Sequence, residues 1–261
     1  MPSVYAHYRF GASLLPGMPA DVRRTVQRFR RLFDLGLHGP DIFYYHAFPL
    51  NTSIRDLGVK FHEQTGQDFF QRVCRAVRLE RSEAALAYLY GLLCHYCLDS
   101  VMHPYVSEQA TAVGATHLEI EGEFERYLLE KDGKIPACAQ DLSNHLKIPP
   151  GECETVAKFY SPATPRNIKD SVNGMAFIVK LLSAPEGAKR TVVQKGMGLV
   201  ASEFTGLMIP ATPNLSCTHL NEPLLDLYEK AATQLPEMLS QLQAHMTYTA
   251  AFGPEFEPIF G

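Results

Sequence analysis

The chain has 261 residues, 46% hydrophobic and 20% charged, with a formal net charge of −4. Such a chain has ample core for a globular fold, and its acidic balance argues against a general nucleic-acid-binding surface. Six cysteines in this length are too few for a disulfide framework. The opening MPSVYAHYRFG lacks a charged n-region and an apolar h-region, so no signal peptide is visible and the cytoplasm is the expected location. Strand-like alternation is scarce and helical periods dominate, which predicts one all-α domain over 1–261.

Residues 19–35 begin with proline and end before Gly36, as a helix should. Val22, Val26, Phe29 and Phe33 form its apolar stripe, and Arg23, Arg24, Arg28, Arg30 and Arg31 make the rest basic. Such a face could meet an anionic lipid surface transiently, although a solvated face is the commoner use of this pattern. The stretch 36–50, GLHGPDIFYYHAFPL, reads as an irregular loop holding Asp41, His38, His46 and the adjacent aromatics Phe43, Tyr44 and Tyr45. A second helix is expected from about Arg55 to Leu79, with His62 near its start and Phe61, Phe69, Val73 and Val77 buried.

Residues Ser82 to Met102 read as the central helix, rich in Ala, Leu and Tyr. Its run Ala84–Leu98 is too short to span a bilayer and indicates a buried helix. Cys94 and Cys97 lie within it and read as small core residues rather than a zinc or redox pair. His95 and Asp99 are four apart and share one helix face. His103 follows, but Pro104 biases it toward the helix end. Thr116 then caps a further helix with Glu119 as its capping-box partner, and His117 and Glu121 repeat the four-residue spacing. One His–Asp pair is more often a hydrogen-bonded pair than a metal site. Two such pairs 22 residues apart, in a chain with only ten histidines, point to metal. The apolar surroundings of Asp99 strengthen this, because burying an unpaired carboxylate costs several kcal/mol. Imidazole nitrogen with carboxylate oxygen suits zinc, and also accepts manganese, iron, cobalt or nickel.

Beyond this region, short helices are expected near 137–147 and 151–160, longer ones over 165–184, 188–207 and 222–246, and an irregular tail. His145, His219 and His245 lack an acidic partner at ligand spacing and read as structural or surface residues, with His38 a turn residue.

The ordered set His7, Asp41, His62, His95-x3-Asp99-x3-His103 and His117-x3-Glu121 resembles the zinc-dependent phospholipase C family. The stretch AYLYGLLCHYCLDSVMHPYV, with Gly91-x3-His95-Tyr96-x2-Asp99 leading into His103, is similar to that family's central helix. The resemblance covers about residues 1–130. It implies an all-α bundle around a metal cluster, shared with fungal single-strand-specific nucleases. Asp41, His62, His95 and Asp99 would surround one zinc, and His103, His117 and Glu121 a second with a position left for water. A third would rest on His7 and Asp99. In the secreted enzymes that third site is completed by the backbone of an N-terminal tryptophan, and this chain has none. Trimming Met1 would instead expose Pro2, five residues before His7. His62 is preferred to His46 on family order and on its helical placement. Asp41 would orient or deprotonate the attacking water.

The expected activity is therefore metal-dependent hydrolysis of a phosphate ester, such as a phospholipid, with no stable nucleic-acid partner. Phe43, Tyr44 and Tyr45 could line a pocket for a choline-like head group by cation–π contact, though core packing is the heavier reading of each singly. The alternatives are a nuclease of the same fold, or a non-catalytic helical module stabilised by fully coordinated metal. A di-iron bundle would need Glu-x-x-His on paired helices, and the chain has none.

Overall fold

Five of the helix starts follow from local chemistry. In the computed structural model, which describes residues 3–149, 151–200 and 206–261, Thr52, Thr65, Ser82, Thr116 and Thr164 each accept the backbone N–H three residues on. These caps satisfy donors that a helix start leaves unpaired. The helices they open are α4 (Ser53–His62), α5 (Gly66–Glu80), α6 (Glu83–Val113), α7 (His117–Lys131) and α9 (Pro165–Leu182). At Thr116 and Thr164 the capping box is complete, with Glu119 and Asn167 reaching back. The other helices are α1 (Val4–Leu14), α2 (Ala20–Arg28), α3 (Arg30–Gly36), α8 (Glu152–Ala157), α10 (Ala188–Val200) and α11 (Asn221–Tyr248). Among the described residues there is no β-strand, only a single bridge between Thr65 and Ile259. The fold is all-α.

Helix α6 is the axis. It is 31 residues long, and α1, α2, α3, α5, α7, α8 and α11 all pack against it. By length and apolarity α6 could cross a membrane, but 83% of its most apolar window is buried inside the protein. Cys94 and Cys97 are buried free thiols, as core residues should be. The helix runs through Pro104, although that residue has no N–H to offer Ser100. His103 is therefore helical rather than at a helix end, and His95, Asp99 and His103 form one stripe at i, i+4, i+8.

Three expected helices are divided or shortened. The stretch 19–35 breaks at Phe29, whose φ of −122° and ψ of 43° end α2 and start α3. A straight helix would turn Leu32 and Leu35 toward the arginine face, whereas the break buries Leu32, Phe33 and Leu35 together. Arg28 then pairs with Glu83 and Arg30 with Asp34, which neutralises part of the basic face. The stretch 55–79 divides at Thr65, so His62 closes α4 instead of opening a longer helix. The expected helix near 137–147 is a single 3-10 turn, Ala137–Ala139, followed by irregular chain. The expected continuation of α10 to 207 falls partly outside the described residues.

Two glycines bring α3 against α6. A Cβ on Gly36 would lie 2.3 Å from the Tyr88 carbonyl, and one on Gly91 would lie 2.2 Å from the Phe33 carbonyl. This crossing delivers the 3-10 turn Gly39–Tyr45, which follows α3, to the middle of α6. Behind that turn stands α9, where Gly174 admits the Tyr45 carbonyl; a Cβ there would be 2.3 Å from it. Gly91→Ala tests the crossing by its sign. Helix propensity alone would make alanine stabilising by about 1 kcal/mol. The backbone clash instead predicts a loss of about 1–3 kcal/mol or more in urea unfolding.

Candidate metal centre

The eight residues singled out in the sequence arrive from five places. His7 comes from the second turn of α1, Asp41 from the turn Gly39–Tyr45, and His62 from the end of α4. His95, Asp99 and His103 line α6, while His117 and Glu121 lie on the first turns of α7. Three mutually close groups result, each able to hold a metal ion: Asp41, His62 and His95; His7, His95 and Asp99; His103, His117 and Glu121. His46 is not among them, since its Nδ1 lies 3.1 Å from Thr52 Oγ1. Met1 and Pro2, on which completion of the third site was expected to depend, lie outside the described residues.

Asp99 is the hub. Its Oδ1 is 3.1 Å from His7 Nε2 and 3.3 Å from His103 Nε2, and its Oδ2 is 3.2 Å from His95 Nε2. Asp41 Oδ1 is 3.1 Å from His62 Nε2. Glu121 Oε1 is 3.1 Å from His117 Nε2 and 3.5 Å from His103 Nε2. Six of the eight side chains are at most 5% exposed, but Glu121 is 12% and His117 24% exposed.

Backbone carbonyls set two of the imidazole tautomers. His62 Nδ1 lies 2.6 Å from the Gly58 carbonyl, and His95 Nδ1 lies 3.2 Å from that of Leu37. A carbonyl only accepts, so in each ring Nδ1 carries the proton and Nε2 presents its lone pair. Both Nε2 atoms are buried without a hydrogen-bond partner, beside carboxylate oxygens that are also lone-pair donors. Lone pairs converging without a proton between them leave room for a cation. A carbonyl that orients the distal nitrogen of a ligating histidine is the usual support of such a site.

Protonation points the same way. Burial opposes ionisation of Asp41, but the charges around it hold its carboxyl well below the usual range. For Asp99 burial is likewise outweighed by His103, His95 and His7, and for Glu121 by His103 and His117. Burial pulls His95 down to about 3 and lowers His103 despite their acidic neighbours. His7 is the exception: burial lowers it, but Asp99 and Asp41 raise it further. Ionised carboxylates with neutral imidazoles are the forms that bind metal. The donor set thus fits zinc.

Several residues that shape the site escaped the sequence reading. Glu125 is buried and accepts the Tyr5 and Ala6 N–H groups and the Ser3 hydroxyl, fixing the start of the helix that carries His7. Burial raises its carboxyl to about 7 against those donors. Nothing in the spacing of Glu125 distinguishes it from a surface glutamate. His38 is a buried residue rather than a plain turn residue, with its Nε2 2.8 Å from that of His145. Phe43 and Tyr45 are core, Phe43 packing on Phe61 and Tyr160, so they line no head-group pocket. Only Tyr44 of the three stays partly exposed, with its hydroxyl 3.3 Å from His62 Nδ1.

The fold and this site define an all-helical protein with a multidentate imidazole–carboxylate centre. Residues 6–169 match the family described as zinc dependent phospholipase C, further along the chain than the resemblance over 1–130. The chain belongs to the zinc-dependent phospholipase C family. No curated protein and no solved structure matches it.

Gly39 offers a test that leaves every candidate ligand in place. Its φ is +45°, and a Cβ there would lie 2.5 Å from Cδ2 and 2.9 Å from Nε2 of His95. Gly39→Ala should tilt that ring and weaken zinc binding by about 10–100-fold, as losing an orienting partner does, while the helical circular dichroism is kept. Unchanged zinc affinity in titrations against a competing chelator would show that His95 does not ligate.

Proposed function

We propose that this protein is a zinc-dependent phosphodiesterase acting in the phospholipase C manner on a phospholipid or related phosphate diester. The observation that carries this reading is the buried convergence of His62 and His95 Nε2 on the Asp41 and Asp99 carboxylates, in tautomers that leave lone pairs facing inward. Asp41, His62 and His95, with Asp99, would hold one ion. His103, His117 and Glu121 would hold a second, and His7 with Asp99 a third. Bound zinc supplies a coordinated water of lowered pKa and neutralises charge developing on the phosphoryl oxygens.

The chain's own groups carry the remaining roles. Asp41 is kept ionised, so it can accept the proton of the attacking water. His62, its ring held by the Gly58 carbonyl, presents Nε2 3.1 Å from Asp41 as a fellow ligand of the same ion. His117 is the most exposed of the eight side chains, which makes its group the one that a phosphate meets first from solvent. The nuclease alternative would want a basic groove with aromatic platforms. A net charge of −4 and the lack of tryptophan weigh against it.

Asp41→Asn separates enzyme from structural module. In the enzyme, turnover of a chromogenic phosphodiester and of phospholipid vesicles should fall by about 10²–10⁴, the usual worth of a general base. The protein should stay folded and keep at least the ion that His103, His117 and Glu121 would hold. If the zinc is structural, the variant should unfold, and the wild type should cleave neither substrate. Preferential cleavage of single-stranded DNA would move the assignment to the nuclease.

A further inference from the structure

Catalysis as proposed needs the phosphate to reach Asp41, yet Asp41 and His95 are fully buried and His62 is 2% exposed. Part of what covers them is the segment 257–261. Phe260 is fully buried, its ring centroid 6.2 Å from those of both His62 and His95. It is wedged between Phe69 at 4.9 Å and Tyr96 at 4.8 Å. Next to it the Gly261 N–H donates to the His62 carbonyl at 3.3 Å. Gly261 also lies so close to His103 that a Cβ there would overlap the ring at Nδ1. One dipeptide thus touches three candidate ligands from α4 and α6.

The ties of this segment differ from those of the helices. Phe256 anchors it in the core against Phe70, Tyr96 and Phe252. Beyond Phe256, Glu257, Pro258 and Ile259 are exposed, and only Phe260 reaches inside. The Pro258 carbonyl accepts from Gly66 N–H and from the Tyr96 hydroxyl, both at 2.9 Å, and Ile259 bridges to Thr65. A short exposed strap with one inserted side chain is the kind of element that opens locally while the core stays folded.

We propose that residues 257–261 form a built-in plug over the metal centre, and that Phe260 must leave its seat before substrate reaches Asp41. The proposal rests on the catalytic reading for its consequence, but its geometry can be tested apart from turnover.

A reversible latch provides the test. Thr65→Cys combined with Ile259→Cys places a cysteine pair across the bridge, and the six native cysteines are all buried and free. Two quantities are read on the protein as purified, oxidised and then reduced: the rate at which a chromogenic chelator strips zinc, and phosphodiester turnover. The plug predicts zinc loss at least about tenfold slower in the oxidised form, as expected when local opening controls access, with turnover falling in parallel and both restored by reduction. Tyr96→Phe, which removes a strap tether without emptying the Phe260 seat, should accelerate zinc loss. Equal stripping rates in the oxidised and reduced forms would overturn the plug, whatever the turnover. Zinc loss that follows the latch in a protein that cleaves no phosphodiester would uphold the plug and remove the catalytic reading.

Discussion

Three carboxylates, Asp41, Asp99 and Glu121, are drawn together inside an apolar bundle, and the structure depends on what compensates them. Leaving ionised groups in such surroundings costs far more than one hydrogen bond returns. Protonated histidines could serve, but burial holds His95 and His103 neutral. With the His62 and His95 rings turned to offer lone pairs rather than protons, divalent cations are the compensation that this donor set fits. Folding and metal binding should then be coupled, because the ligands come from α1, the turn after α3, α4, α6 and α7.

The architecture serves that convergence. Helix α6 contributes a stripe of three candidate ligands, and the glycine contact between α3 and α6 sets Asp41 opposite it. Glu125 ties down the start of α1, and the capping box at Thr116 fixes where His117 begins α7. The second half of the chain is more than bulk. Helix α9 braces the Asp41 turn through Gly174, and the segment 257–261 lies directly against His62 and His103. Positioning residues are thus spread over the whole chain, although the candidate ligands end at Glu121.

Much of this was legible in the sequence, for a physical reason. Four-residue spacing on a helix is a short-range property, so the pairs His95–Asp99 and His117–Glu121 and the Thr116 capping box could be read directly. Residues far apart were harder. His62 could be preferred to His46 only through family order and its place on a helix, since nothing local says which one turns toward Asp41. The division at Thr65 carried a readable signal, a threonine followed three residues later by Asp68, but the continuous apolar stripe concealed it. Pro104 misled, because packing around α6 outweighs one missing hydrogen bond. The roles of Glu125, Gly39 and Phe260 depend on contacts between distant segments, and no spacing encodes those.

The central claim is that the buried carboxylates are held by zinc, and metal content per chain tests it most directly. Untagged protein purified without chelator would be analysed by mass spectrometry beside the double variant His95→Ala/His117→Ala. The account predicts about two zinc equivalents in the wild type, or about three if His7 completes a further site, and their loss in the double variant. A well-folded wild type that holds no metal, even after zinc is added back, would contradict it. The histidines and carboxylates would then form a buried hydrogen-bonded network.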